Sequence, residues 1–173
     1  MENPATAILM PSFVKFLTGL KGVLKKGEDF AKEKNVTADV FLNSRIAIDM
    51  FDLKKQVQVA CDNAKGSLFR LAGKEVPSFA DTETTFAELY ARIDKTLELI
   101  ATLKEEDFTG AMEREIRLAY FPGQHMKGKD YMLEYVLPNF FFHVTTAYDI
   151  LRHLGVDLGK TDFMGGSLPL NDD

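Results

Sequence analysis

For metal or nucleophilic chemistry the chain offers three histidines and a single cysteine, and the choice among them narrows at once. His143 lies in the run PNFFFHVTTAYDILRHLG, Pro138 to Gly155. On a helical wheel it falls roughly 75° from the centre of the apolar stripe, beside Val136 and Ile150. A histidine at that edge can reach a cleft between helices and still meet water, which is where bundles build metal sites and general bases. Asn139, one turn earlier, lies farther out on the same side. The competing reading of His143 is a hydrogen-bonded structural residue. His153 points nearly the opposite way and reads as a solvated cation favoured by the helix dipole. His125, near a turn, reads as a surface residue.

The obstacle to a metal site is the number of ligands. Zinc and nickel sites generally take three or more nitrogen, sulfur or carboxylate ligands, and the chain has no H-x-x-x-H, E-x-x-H or C-x-x-C pair. The residues that could join His143 and Asn139 are Gln58 and Asp62 on the second long helix and Asp49 in the connection before it. Gln58 is a weak ligand near the edge of its helix, and Asp62 falls about 130° from the buried centre. These five residues define the expected cleft. No metal is expected there; one that did bind would be held by His143. Cys61 sits mid-stripe, where a thiol is an inert small hydrophobe. Thr145-Thr146 lacks an acid to orient the histidine as a triad requires, and there is no glycine-rich phosphate loop.

The elements that must position these residues can be read from periodicity. Phe13, Phe16, Leu17, Leu20, Val23 and Leu24 predict a helix over about 5–34, with Pro11 at its first turn or kinking it. Thr37 should cap a short helix to about Asn43, and 44–52 reads as an irregular but packed connection. Val57, Cys61, Ala64, Leu68 and Leu71 predict a helix over about 53–72, ended by Gly73. Thr85 and Glu88 form a capping box that opens a third helix to about Leu103. Alternation at Ile116, Leu118 and Tyr120, with Pro122-Gly123 suited to a type II turn, predicts a hairpin of 113–120 with 124–127. Leu133, Leu137, Phe140, Val144, Ala147, Leu151 and Leu154 predict a last helix over about 130–154, bent at Pro138. Because Phe140, Phe141 and Phe142 point three ways, one ring must face off the stripe, under the hairpin or into a subunit contact. Residues 156–173 read as a C-terminal strap.

Four such helices hide their stripes only against one another, so the expected fold is an all-α four-helix bundle with a small hairpin before the last helix, one domain over 1–173. The composition, 46% hydrophobic and 27% charged, is that of a globular chain. A net charge of −5 disfavours a nucleic-acid partner. The short apolar runs predict no membrane span. With one cysteine and no basic leader, a cytoplasmic location is expected.

The run from His143 to Gly155, HVTTAYDILRHLG, resembles the last-helix signature of the DinB/YfiT-like metalloenzyme superfamily. More closely, Leu42–Gly66, Asp81–Ile93, Leu137–Lys160 and Asp162–Phe163 resemble an uncharacterised family of bacteria and fungi within it, whose members carry a domain of unknown function. The resemblance implies a DinB-like bundle. In that superfamily three histidines typically hold a divalent metal, one on the second helix and two as H-x-x-x-H on the last. Matching the L-R-x-L-G endings puts His143 at the last ligand, Asn139 at the one before it and Gln58 near the second-helix position. Two of three ligands are thus amides, poor partners for zinc or nickel. Three readings follow. One is a bundle with a degenerate metal cleft that binds a small molecule or has no catalytic role. A second is a metal-dependent enzyme such as a thiol S-transferase, with His143 and a carboxylate such as Asp49. The third is a homodimeric interaction module.

Overall fold

The apolar stripes of the sequence become four long helices that face a common core. The computed structural model describes residues 3–166. Its long helices are α1 (Met10–Glu33), α3 (Leu53–Leu71), α4 (Phe86–Ala101) and α6 (Leu137–His153), with a short α2 (Ala38–Leu42) between the first two. Phe13, Leu17, Leu20, Val23 and Leu24 of α1 are no more than 2% exposed. The Asp52 carboxylate caps α3 by accepting from the Lys55 amide (3.0 Å), and Gly73 ends it at φ +68°. The predicted capping box opens α4, with the Glu88 amide donating to Thr85 Oγ1 and the Thr85 amide to Glu88 Oε2. Thr37 precedes α2 as expected, but its side chain makes no capping bond.

Both α1 and α3 pack against α4 and α6, so the ring runs α1, α4, α3, α6, with α1 facing α3 across it. The long connections 34–52 and 102–136 therefore cross the bundle diagonally, while the α3–α4 loop joins neighbours. One helical run, Ala5–Glu33, is long and apolar enough to cross a membrane, which the length of uninterrupted apolar runs does not predict. Its stripe is nevertheless turned into the bundle, as in any core helix.

Both prolines of the long helices sit just after a π-helical turn: Ala5–Leu9 precedes Pro11, and Tyr131–Val136 precedes Pro138. A wider i→i+5 turn accommodates a residue that has no N–H and whose ring crowds the preceding carbonyl. The extra residue also shifts the helical register. Leu133, expected in the buried stripe, is 46% exposed, and Tyr131, Met132 and Val136 are buried instead. Beyond Pro138 the stripe is as predicted, with Phe140, Val144, Ala147 and Leu151 buried.

The predicted hairpin shrinks to two residue pairs. β1 (Glu115–Ile116) runs antiparallel to β2 (Met126–Lys127), with Glu115 opposite Lys127 and Ile116 opposite Met126. Residues beyond Ile116 leave the ladder because the backbone turns early, the Phe121 amide donating to the Leu118 carbonyl (3.0 Å). The Pro122-Gly123 turn forms as expected, with the Gln124 amide on the Phe121 carbonyl and Gly123 at φ +78°. A single α-turn, α5 (Gly128–Asp130), leads from β2 into the last helix. After α6 the chain folds back along α1: Val156 and Leu158 are buried. α7 (Lys160–Phe163) then sets Phe163 against Phe16 and Tyr148. The end of the expected strap, 167–173, lies outside the described residues.

Gly128 is where the hairpin base meets the bundle, and a methyl group there would fall on the Ala111 carbonyl and against Leu71. Gly128→Ala should therefore lower unfolding stability by about 1–3 kcal/mol, read as a lower urea midpoint at unchanged m-value.

Candidate functional site

His143 projects from α6 toward α3 and is 6% exposed. Its Nδ1 lies 2.7 Å from Gln56 Oε1, while Gln56 Nε2 donates to the Phe51 carbonyl (3.1 Å). Because the amide spends its N–H on Phe51, its oxygen must be the acceptor, so Nδ1 of His143 carries the proton and Nε2 keeps the lone pair. The Phe51 ring stacks over the imidazole, with centroids 6.4 Å apart, and Phe142 meets it edge-on at 5.3 Å. Burial in this aromatic box pushes its pKa down to about 4. The imidazole is neutral over the ordinary pH range.

The other expected cleft residues have separate partners. Gln58 donates through Nε2 to Glu83 Oε2 (2.8 Å) and lines a shallow surface pocket with Arg45, Phe51, Lys55 and Asp81. Asn139 lines a different cavity, described below. Asp49 sits exposed in the turn between α2 and α3. Asp62, read as poorly aimed, accepts at Oδ1 from Lys65 (2.7 Å) and Arg92 (2.9 Å). The partner of His143 on α3 is Gln56, two residues from the one named by the resemblance. Among the described residues no three His, Cys, Asp or Glu side chains converge as a metal ion requires. Cys61 is fully buried, and burial raises its thiol pKa to about 12. His153 is exposed, as expected, and so is His125, 3.5 Å from Glu115.

Two further features went unseen in the sequence. The first is Arg92 of α4, which is 3% exposed. It bonds Glu83 (2.8 Å), Asp62 (2.9 Å) and Asp81 (2.9 Å), and donates to the Ala80 carbonyl. Burial alone would lower its pKa; the carboxylates, Glu83 first, outweigh burial and raise it. The Phe79 ring lies against three cations, Lys65, Arg92 and Lys95, at 4.3–5.5 Å. The readable signal was a charge within an apolar stripe, since Leu89, Arg92, Ile93, Thr96 and Ile100 share one face.

The second is a cavity of about 430 Å³ between α3, the α3–α4 loop and the start of the last helix. Lys65, Arg70, Phe79, Tyr120, Tyr131 and Asn139 are among the residues that line it. Tyr131 and Tyr135 stack at 5.7 Å, and burial raises the pKa of both hydroxyls. No local pattern marks this site, because its walls come from four separate stretches of chain.

The sequence model of a family described as a domain of unknown function (DUF1993) matches residues 6–164. The fold is similar to a crystal structure described as a DinB family member protein from Shewanella denitrificans, at 42% identity and a TM-score of 0.90. That likeness covers 95% of this chain and 93% of the other. No curated protein matches the chain.

A histidine held neutral by burial opposes folding once the unfolded chain takes up a proton. Its folded pKa of about 4 lies below the ordinary 6.5, so its contribution is complete above pH 6.5 and is lost as pH falls through 4. The loss should reach about 3 kcal/mol, at about 1.4 kcal/mol per pKa unit. Replacing His143 by Gln should flatten the stability profile between pH 7 and 5 relative to wild type, as measured by urea unfolding at each pH.

Proposed function

We propose, starting from a chain that belongs to the DUF1993 family and folds as a DinB-like bundle, that the protein binds a small molecule and runs no metal chemistry. The observation that supports this is the donor set around His143. Its imidazole has the tautomer a metal ligand would use, with Nδ1–H held by an oxygen and Nε2 bare. Its neighbours, however, are an amide and two phenylalanine rings rather than further ligands. Gln58 and Asn139 are amides, and Gln58 is already bonded to Glu83; neither supplies the charge or softness that zinc or nickel selects. The residues present do not fit a divalent metal, so the thiol S-transferase chemistry of some superfamily members is not carried over. A cavity of drug-sized volume on the same α3–α6 side favours binding. The buried, unreactive thiol suits a cytoplasmic setting.

Elemental analysis of untagged protein should find zinc and nickel well below one ion per chain. Zinc titration should give the same isotherm for wild type and His143→Ala. A stoichiometric metal that disappears in His143→Ala would establish the metalloenzyme reading instead.

One observation favours homodimerisation as a second reading. Phe51 (51% exposed) and Phe142 (54%) are exposed at the histidine box, with Ile48 (95%) three residues before Phe51 in the chain, and large apolar side chains at a surface mark interfaces. If they form one, sedimentation of wild type should depend on concentration and Phe142→Asp should sediment as a monomer with its helix content intact. A wild type that stays monomeric at high concentration removes the dimer reading.

A further inference from the structure

Arg70 stands apart among the cations around the cavity. Lys65 is bound to Asp62, Arg92 to three carboxylates, and Arg114 to the Leu71 carbonyl. Among the described residues Arg70 has no acidic partner; its hydrogen bond is a long one to Tyr131 Oη, 3.4 Å. Its position is nonetheless built. A Cβ on Gly66 would come within 2.7 Å of Arg70 Nη1, so the glycine makes room for the guanidinium to fold back one turn along α3 into the cavity wall. A half-buried guanidinium, seated by a glycine and lacking a carboxylate, has a planar fork of donors to offer.

The rest of the wall defines what would fill it. The one carboxylate present, Asp62, already shares Oδ1 between Lys65 and Arg92. Tyr135, half-buried and backed by the fully buried Tyr131 that stacks on it, forms a ledge, and with Phe79, Val59, Val76 and Pro77 it gives flat and apolar faces. We propose that this cavity binds a small organic carboxylate with a planar apolar body, its carboxylate paired with Arg70 and its ring lying on the tyrosine ledge. A single free guanidinium with a carboxylate nearby suits a monoanion better than a phosphate dianion, which would need more positive charge. The inference rests on the small-molecule reading above and gives it a ligand class.

Phenylacetate, its neutral isostere phenylacetamide and inorganic phosphate serve as probes at millimolar concentration, read by calorimetry and by amide shifts in 15N-labelled protein. Phenylacetate should shift amides of residues 62–70 and 131–139, while phenylacetamide and phosphate bind at least about tenfold more weakly. Arg70→Gln should lose that preference with the spectrum otherwise unchanged. Gly66→Ala should raise the melting temperature, since alanine favours helix over glycine, yet weaken phenylacetate by about tenfold by displacing the guanidinium. Equal binding of acid and amide, unaffected by Arg70→Gln, overturns the carboxylate inference and leaves small-molecule binding in place. If no probe moves the cavity amides, the inference is also overturned, and the wider reading then stands or falls by the metal analysis, which does not involve Arg70.

Discussion

The buried guanidinium of Arg92 is the constraint on which the arrangement around the cavity depends. A charge with only 3% of its residue exposed is tolerable only when paired and hydrogen-bonded, and this one gathers its partners from two elements. Asp62 comes from α3, and Asp81, Glu83 and the Ala80 carbonyl come from the α3–α4 loop. That loop has no regular structure from Lys74 to Thr84, yet it is fixed at one end of α4 by these bonds and by Phe79 lying against Lys65, Arg92 and Lys95. Lys55 extends the network by holding Asp81 (2.6 Å), and Gln58 extends it by holding Glu83. Long irregular loops are commonly functional. Here electrostatics gives the loop a defined conformation, and its residues 76–79 can serve as a cavity wall.

The histidine box shows how the same residue type serves different ends. In a bundle cleft an imidazole oriented through Nδ1 is ready to donate its other nitrogen to a metal. In this chain the orienting oxygen belongs to Gln56, and the space beyond is bounded by Phe51 and Phe142. The buried ring, the glutamine and the Phe51 carbonyl make a short relay that ties α6 to the start of α3. Such a relay specifies how two helices meet, because leaving any member unpaired in the interior is costly.

Much of the fold was legible in the sequence, because helix stripes, caps and the Pro-Gly turn are local signals: Thr85 with Glu88, Gly73 and Gly123 all do what their chemistry predicts. The candidate site was less legible. α3 is buried on nearly all sides, so Gln56, Gln58 and Lys65 are each under 4% exposed and the wheel could not say which of them faces α6. Periodicity ranks residues by distance from one apolar face, and a helix enclosed by α4, α6 and a loop has no single such face. Arg92 is hidden for a related reason: the apolar periodicity of α4 runs through Phe86, Tyr90, Ile93, Leu97 and Ile100, whereas the face that is buried is turned toward Leu89, Arg92 and Thr96, and Tyr90 and Leu97 are only half-buried.

The π-turn before Pro138 decides more than the accommodation of a proline. In a continuous α-helix the residues before Leu137 would be rotated by roughly 100° relative to their observed positions. Tyr131 and Tyr135 would then swing away from α3, and Leu133 would turn toward it. One additional backbone residue per turn thus substitutes phenol for aliphatic carbon along the cavity wall, so deleting a residue within Tyr131–Val136 would reline the cavity with aliphatic carbon while leaving the four-helix scaffold in place.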